Sequence, residues 1–304
     1  MTAGPQDLRG VLPVFQTPFA ADESIAFADL EREIEWIAHQ GVHGVVFGMV
    51  SEALRLSDSE RKAVIRVASE TARGFGLPCV ASVGAESTSA ALGRIDDALD
   101  AGASALMATP PLTSRHNEAQ LEGYFRALLA HSPAPLVVQD ASGYVGQALS
   151  IELQARLFEE FGSQVRFKPE AVPVAPTLEA LLAATDRTAQ IFEGMGGAGL
   201  LETHAGGVAG SMPGAEVCWA VVTMWNALEA GDLARAGAIS APLSQMIALQ
   251  DDLDSFVVCE KYLLVKQSVL AEVTTRSPVS FALDEANRSK LSRLLDELRR
   301  VVFV

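Results

Sequence analysis

The chain has 304 residues, 49% of them hydrophobic, and its 38 acidic against 23 basic side chains give a formal net charge of -15. That length admits one large barrel or two ordinary domains with a sizeable buried core. The charge balance, with no basic stretch to neutralise a phosphate backbone, excludes nucleic acid as a partner, and no apolar run reaches the ~18 residues that a membrane span needs.

In chain order, Gly4, Pro5, Asp7 and Arg9 stand where a secretory signal requires an apolar core, so a cytoplasmic protein is expected. Apolar, β-rich runs then recur at residues 12–17, 44–50, 79–83, 105–109, 136–139, 166–170, 189–193 and 206–211. Most lie about 30 residues apart, the repeat of a strand plus a crossover helix. Helical patterns fill the gaps. Leu30, Ile34 and Ile37 share one face, Ser57 with Glu60 has the spacing of a capping box, and so does Asn117 with Gln120. After the last run only helices follow, at 216–229, 232–251, 259–270 and 284–299. The pattern predicts a (β/α)8 TIM barrel over residues 1–230, closed by the first of these helices, with a C-terminal helical extension over 231–304. Cys79, Cys218 and Cys259 form no metal or disulfide pattern, and the five histidines show no ligand spacing, so no metal and no cofactor is expected.

In such a barrel the chemistry sits where the strands end. Lys168 is one of five lysines, and it falls inside the strand pattern Val165-Arg166-Phe167-Lys168-Pro169-Glu170. Burial favours the neutral amine, which is a nucleophile toward carbonyl carbon, although a structural ion pair would explain the same residue. Glu170, two residues on, faces the same side and suits either role. The stretch Gly194-Met195-Gly196-Gly197-Ala198-Gly199 also satisfies the spacing of a phosphate-binding glycine loop, although it lacks the first-strand context of one.

Several segments resemble the dihydrodipicolinate synthase and N-acetylneuraminate lyase superfamily. Leu12 to Phe19, closing on Thr17-Pro18-Phe19, is similar to its opening strand. Gly48 to Glu52 followed by Leu56-Ser57-Asp58-Ser59-Glu60-Arg61 resembles its second-strand loop and helix start, and Gly206 to Ser211 resembles its last strand. Phe167-Lys168 stands where the family's Schiff-base lysine stands, which implies a lyase holding a 2-oxo acid, a small molecule, as an imine on Lys168, and a homotetramer. Apolar residues Val257, Tyr262 and Val265 in the C-terminal helices would serve the assembly.

The departures narrow the reading. Gly48-Met49-Val50-Ser51-Glu52 lacks the threonine hydroxyls that bind the family's substrate carboxylate. Gln139-Asp140 replaces the usual Tyr-Asn, Tyr144 occupies the place of an arginine, and the tyrosine expected after the fourth strand is missing from Pro110 to Thr113. Glutamine cannot pass a proton as a phenol does. Ser51-Glu52, Gln139-Asp140-Ala141, Lys168-Pro169-Glu170 and Met212-Pro213-Gly214 resemble instead a branch that dehydrates 2-keto-3-deoxy sugar acids such as L-2-keto-3-deoxyarabonate. The expected catalytic set is Lys168, Glu170, Gln139 and Asp140. The expected substrate contacts are Thr17, Met49, Val50, Ser51, Glu52, Tyr144, Gly194, Gly210 and Ser211. Pyruvate-dependent aldol cleavage or condensation, and a catalytically silent sugar-acid binder, are the alternatives.

Overall fold

The computed structural model describes residues 8–303, so of the residues weighed against a secretory signal Gly4, Pro5 and Asp7 lie outside the described residues. Eight strands run in chain order: β1 (Gly10–Val11), β2 (Val45–Phe47), β3 (Cys79–Ser82), β4 (Ala105–Ala108), β5 (Leu136–Asp140), β6 (Val165–Pro169), β7 (Phe192–Glu193) and β8 (Gly210–Ser211). They pair in parallel as β2-β3-β4-β5-β6 and as β1-β8-β7. Parallel bridges Val14↔Val46 and Phe167↔Ile191 join the two ladders, and the barrel is closed.

Strand side chains alternate between the interior and the helix layer. Val46, Val80, Met107, Val137, Phe192 and Met212 fill the inside, while Val45, Phe47, Ala81, Leu106, Val138 and Phe167 pack outward on the helices. Those helices are α1 (Phe27–Ala38), α2 (Asp58–Gly74), α3 (Thr88–Asp100), α4 (Glu118–His131), α5 (Ile151–Phe161), α6 (Val174–Ala184), the short α7 (Leu200–Thr203) and α8 (Cys218–Glu229). Both expected capping boxes form: Ser57 Oγ accepts from Glu60 N at 3.3 Å, and Asn117 Oδ1 from Gln120 N at 3.0 Å.

The seventh and eighth strands are shorter than their apolar runs, and the first, Gly10–Val11, precedes the expected run 12–17, within which only Val14 forms bridges. Pro13 has no N–H to donate, so the ladder of the first run is interrupted, and its extended backbone divides its later bonds between two neighbours: Val14 N donates to Pro213 O at 2.7 Å and Phe15 N to Val46 O at 3.1 Å. The second run ends at Phe47, because residues Met49–Ser51 form a 3-10 turn and Glu52 takes φ 56°. In the eighth run His204–Gly206 turns helically before the strand begins. Gly210 must lack a side chain there, since a Cβ would lie 1.8 Å from Gly10 O across the β1–β8 pairing.

The C-terminal extension comprises α9 (Leu233–Ile247), α10 (Leu253–Lys266) and α11 (Glu285–Val302). Helix α10 starts well before the expected residue 259, because Asp252 Oδ1 accepts from Ser255 N at 2.8 Å and caps it there. The added turn lays α10 across the 3-10 turns Met49–Ser51 and Ala215–Val217 at the strand ends. The apolar residues assigned to assembly are used within the chain: Val257 is buried, Tyr262 and Val265 pack on the core, and the Tyr262 hydroxyl meets Ser292 Oγ at 2.9 Å. Among the described residues no helix is long and apolar enough to cross a membrane.

Candidate active site

A cavity opens at the carboxyl ends of the strands, and Lys168, Glu170, Gln139 and Tyr144 stand on its wall. Residues 166, 168 and 170 alternate inward along β6, which brings the Lys168 ammonium to 3.1 Å from Glu170 Oε1 with both side chains almost wholly buried. Gln139 is the register partner of Lys168 on β5, so its amide reaches across to donate to Glu170 Oε2 at 2.5 Å. The Tyr144 hydroxyl donates to the same carboxylate at 3.2 Å and accepts from Gln139 Nε2 at 3.4 Å. Burial, reinforced by the Glu170 charge, holds the Tyr144 phenol well above its ordinary range, so it stays protonated and acts as a donor. One amine, one carboxylate and two donors that fix the carboxylate thus share a pocket. This is the constellation a carbonyl-attacking lysine with a neighbouring base requires.

Gly194 closes the opposite side. A Cβ at this position would come within 2.5 Å of Glu170 Cγ and 2.8 Å of Lys168 Cε, so the backbone itself forms the wall. The loop that follows is held from within. Glu193 Oε1 accepts from Met195 N at 2.9 Å, and its Oε2 accepts from Gly197 N at 2.9 Å and from the Ser211 hydroxyl at 2.7 Å. These amides are committed to a carboxylate of the chain, which removes the phosphate-loop reading of residues 194–199.

Met49 and Val50 line the cavity, but other expected contacts lie behind it. The Ser51 hydroxyl donates to Phe15 O at 2.5 Å and accepts from Gly48 N at 3.0 Å, and the Ser51 amide donates to Gly48 O at 3.2 Å, so this residue braces its own turn. Thr17 Oγ1 donates to Ser51 O at 2.6 Å and braces the same turn. Glu52 turns away to Lys261, both side chains fully buried, and accepts from Arg276 N at 3.0 Å. Asp140 accepts from Ser142 N at 3.0 Å and from Leu149 N at 2.8 Å, so both its oxygens hold the loop after β5. Ser211 serves Glu193, and Gly210 serves the strand contact. Thr17, Ser51, Glu52 and Asp140 thereby satisfy buried backbone groups, and Ser211 a buried carboxylate, that would otherwise lack a partner.

The extension supplies cavity residues that the sequence patterns did not single out: Ile247, Phe256 and Glu260. Phe256 and Glu260 are four apart and share one face of α10, the only signal available. Glu260 Oε2 accepts from Gln16 Nε2 at 2.5 Å. Behind it lie Glu33 and Glu216, both buried, and Glu33 Oε1 accepts from Gln16 N at 2.9 Å. Burial raises these carboxyls, Glu33 to about 8 and Glu216 to about 7. The three cysteines are buried thiols, and burial pushes Cys79 up to about 11.

Residues 7–298 match the dihydrodipicolinate synthetase family. The 4-hydroxy-tetrahydrodipicolinate synthase of Methanoculleus marisnigri is 28% identical over 299 residues, which is 94% of this chain and 97% of that enzyme. The crystal structure of dihydrodipicolinate synthase from Rhodopseudomonas palustris has a TM-score of 0.87 at 24% identity, covering 96% of this chain and 98% of the other. Wild-type sialic acid aldolase of Ruminococcus gnavus has a TM-score of 0.85 at 19% identity, covering 97% and 98%, and shares the fold. With nearly its whole length matched, and an inward lysine at the end of the sixth barrel strand, the chain belongs to the dihydrodipicolinate synthetase family.

Proposed function

We propose that this protein is a cytoplasmic lyase that forms an imine between Lys168 and a 2-oxo acid and dehydrates a 2-keto-3-deoxy sugar acid. The buried contact between Lys168 and Glu170 carries the reading. When the amine attacks the C2 carbonyl, water leaves and a protonated imine forms; it withdraws electrons from C3 and acidifies the protons there. The Glu170 carboxylate, held by Gln139 and Tyr144, stands beside that nitrogen and takes the C3 proton. Gln139 carries no transferable proton, so a phenol relay through this position, as a condensation needs in the resembling synthases, has no counterpart here.

The substrate carboxylate is assigned to the backbone at Met49 and Val50, since Ser51 is engaged elsewhere. Reduction with borohydride in the presence of pyruvate should attach a covalent adduct to Lys168. A screen of 2-keto-3-deoxy acids of five and six carbons should then give a semialdehyde product. Bound substrate with no adduct would mark a silent binder, and release of pyruvate plus an aldehyde would mark an aldolase. The proposed assembly is a homotetramer, and light scattering at micromolar concentration should return four times the 32.2 kDa chain mass; a monomer would refute it.

A further inference from the structure

The dehydration reading requires a group to protonate the departing hydroxyl, and Glu170 is occupied as the base. We infer that Glu260, delivered to the cavity by α10, is the general acid for that hydroxyl; the inference rests on the proposed dehydration. Glu260 lines the same cavity as Lys168 and Glu170. Its Oε2 is held by Gln16 Nε2 at 2.5 Å. Its Oε1 lies against the end of the last strand, where a Cβ on Gly214 would meet it at 2.8 Å and Glu216 Oε2 at 2.2 Å. Two carboxyl groups therefore crowd one buried spot, Glu33 from α1 shares Gln16 with Glu260, and Lys168 and Tyr144 line the same cavity.

Among the described residues no cation stands at ion-pair distance from Glu260. Lys168 is paired with Glu170, and the neighbouring Lys261 with Glu52. A buried carboxyl without a cation and beside other carboxyls keeps its proton, and burial together with Glu216 holds Glu260 well above the usual carboxylate range. Glu170 is in the opposite environment, ion-paired and accepting two further hydrogen bonds. Two carboxyls held in different protonation states can divide acid and base work. The cavity also presents Gln139 Oε1, which is buried and has no hydrogen-bond partner, as an acceptor for a substrate hydroxyl.

The step balances as an elimination. Glu170 removes a proton from C3, and the C–H electrons move through C2 to the iminium nitrogen, giving the enamine. Those electrons then return toward C3 and C4, the C4–O bond breaks, and the Glu260 proton joins the departing oxygen to release water. Glu170 is left protonated and Glu260 ionised, and one proton passed from the first to the second restores both. In a five-carbon substrate the C3=C4 iminium then loses a proton from C5 and gains one at C3. The resulting C5 enol tautomerises to the aldehyde, and water hydrolyses the imine to free Lys168 and the semialdehyde.

The test compares Glu260→Gln with the native chain on a 2-keto-3-deoxy acid and on its 4-chloro analogue, whose chloride leaves without a proton. The native enzyme should form the semialdehyde. Glu260→Gln should lose about 100-fold or more in kcat on the hydroxyl substrate, stay within about threefold on the chloro analogue, and still give the borohydride adduct with pyruvate. If native enzyme yields pyruvate and an aldehyde, the dehydration reading fails and this one with it. If both proteins make semialdehyde at similar rates, only the Glu260 assignment is overturned. Equal losses on the two substrates would make Glu260 structural and also overturn it. Should Glu260→Gln not fold, Glu260→Asp applies the same comparison, and must slow the hydroxyl substrate selectively.

Discussion

The Gln139 amide donates to Glu170 Oε2 at 2.5 Å, while the other oxygen of that carboxylate meets Lys168 Nζ at 3.1 Å. Gln139 is thus a brace for the carboxylate that the proposed mechanism uses as its base. A hydrogen bond to a charged group contributes about 1.5–3 kcal/mol, so Gln139→Leu should slow C3 proton removal by roughly 10- to 100-fold. Exchange of the pyruvate methyl protons with solvent deuterium measures this step, and the borohydride adduct on Lys168 should persist. Unchanged exchange would show that Tyr144 alone suffices to hold the carboxylate.

Gly194 gives a second handle on the same pair. Its position leaves no room for a methyl group, which would press on Glu170 Cγ and Lys168 Cε at 2.5 and 2.8 Å. Glu170 Cγ carries the carboxyl and Lys168 Cε carries the amine, so neither atom can move without displacing the reactive end. Displacements of this size cost on the order of 100-fold in a positioned reaction. Gly194→Ala should therefore fold and yet lose adduct formation by that factor. A variant that traps pyruvate at the native rate would mean that the pair tolerates displacement.

The buried carboxyl Glu33 makes stability depend on pH. Its pKa is raised from 4.5 to about 8 by burial, so the folded chain binds a proton there that the unfolded chain releases. The contribution is complete below the unfolded value of 4.5 and is lost as pH rises through about 8. At about 1.36 kcal/mol per pH unit, that displacement amounts to on the order of 5 kcal/mol at full ionisation. Glu33→Gln keeps an acceptor for Gln16 N and removes the charge. It should raise the melting temperature at pH 9 and leave it little changed at pH 5. A shift equal at both values would assign the effect to packing instead.

The sequence reveals the barrel because eight buried strands leave eight apolar runs, and it reveals Lys168 because a lysine inside such a run is conspicuous. It also shows Glu170, which shares the inward parity. It misplaces Ser51, Asp140 and Ser211 because a polar residue at a strand end looks the same whether it faces a substrate or, as here, a neighbouring backbone group or carboxylate. Glu260 and Lys261 are less legible still. Two adjacent charges in a helix resemble a solvated face, and the partners that reverse this reading, Gln16 and Glu52, lie 244 and 209 positions away. Only the packing of α10 over the barrel mouth brings them together.

Lys261 joins the extension to the cavity-lining turn through its buried pair with Glu52, and it also donates to Thr274 O at 2.8 Å and lies 4.6 Å from the Phe19 ring. Without Lys261 the buried Glu52 carboxylate keeps only the longer contact to Arg55 Nη1 at 3.5 Å. Breaking a buried pair on one side costs up to about 3–5 kcal/mol, whereas replacing both partners with apolar or neutral groups of similar volume is close to neutral. Lys261→Met should therefore unfold at markedly lower denaturant concentration. Adding Glu52→Gln should restore most of the loss, because Gln can still accept from Arg276 N, which bonds Glu52 at 3.0 Å in the native chain. The Met49–Ser51 turn that Glu52 follows is part of the cavity wall, so the single variant should also bind pyruvate more weakly than the double. If the single and double variants were equally unstable, the charge pair would be uncoupled, and the packing of Lys261 against Phe19 would hold α10 in place.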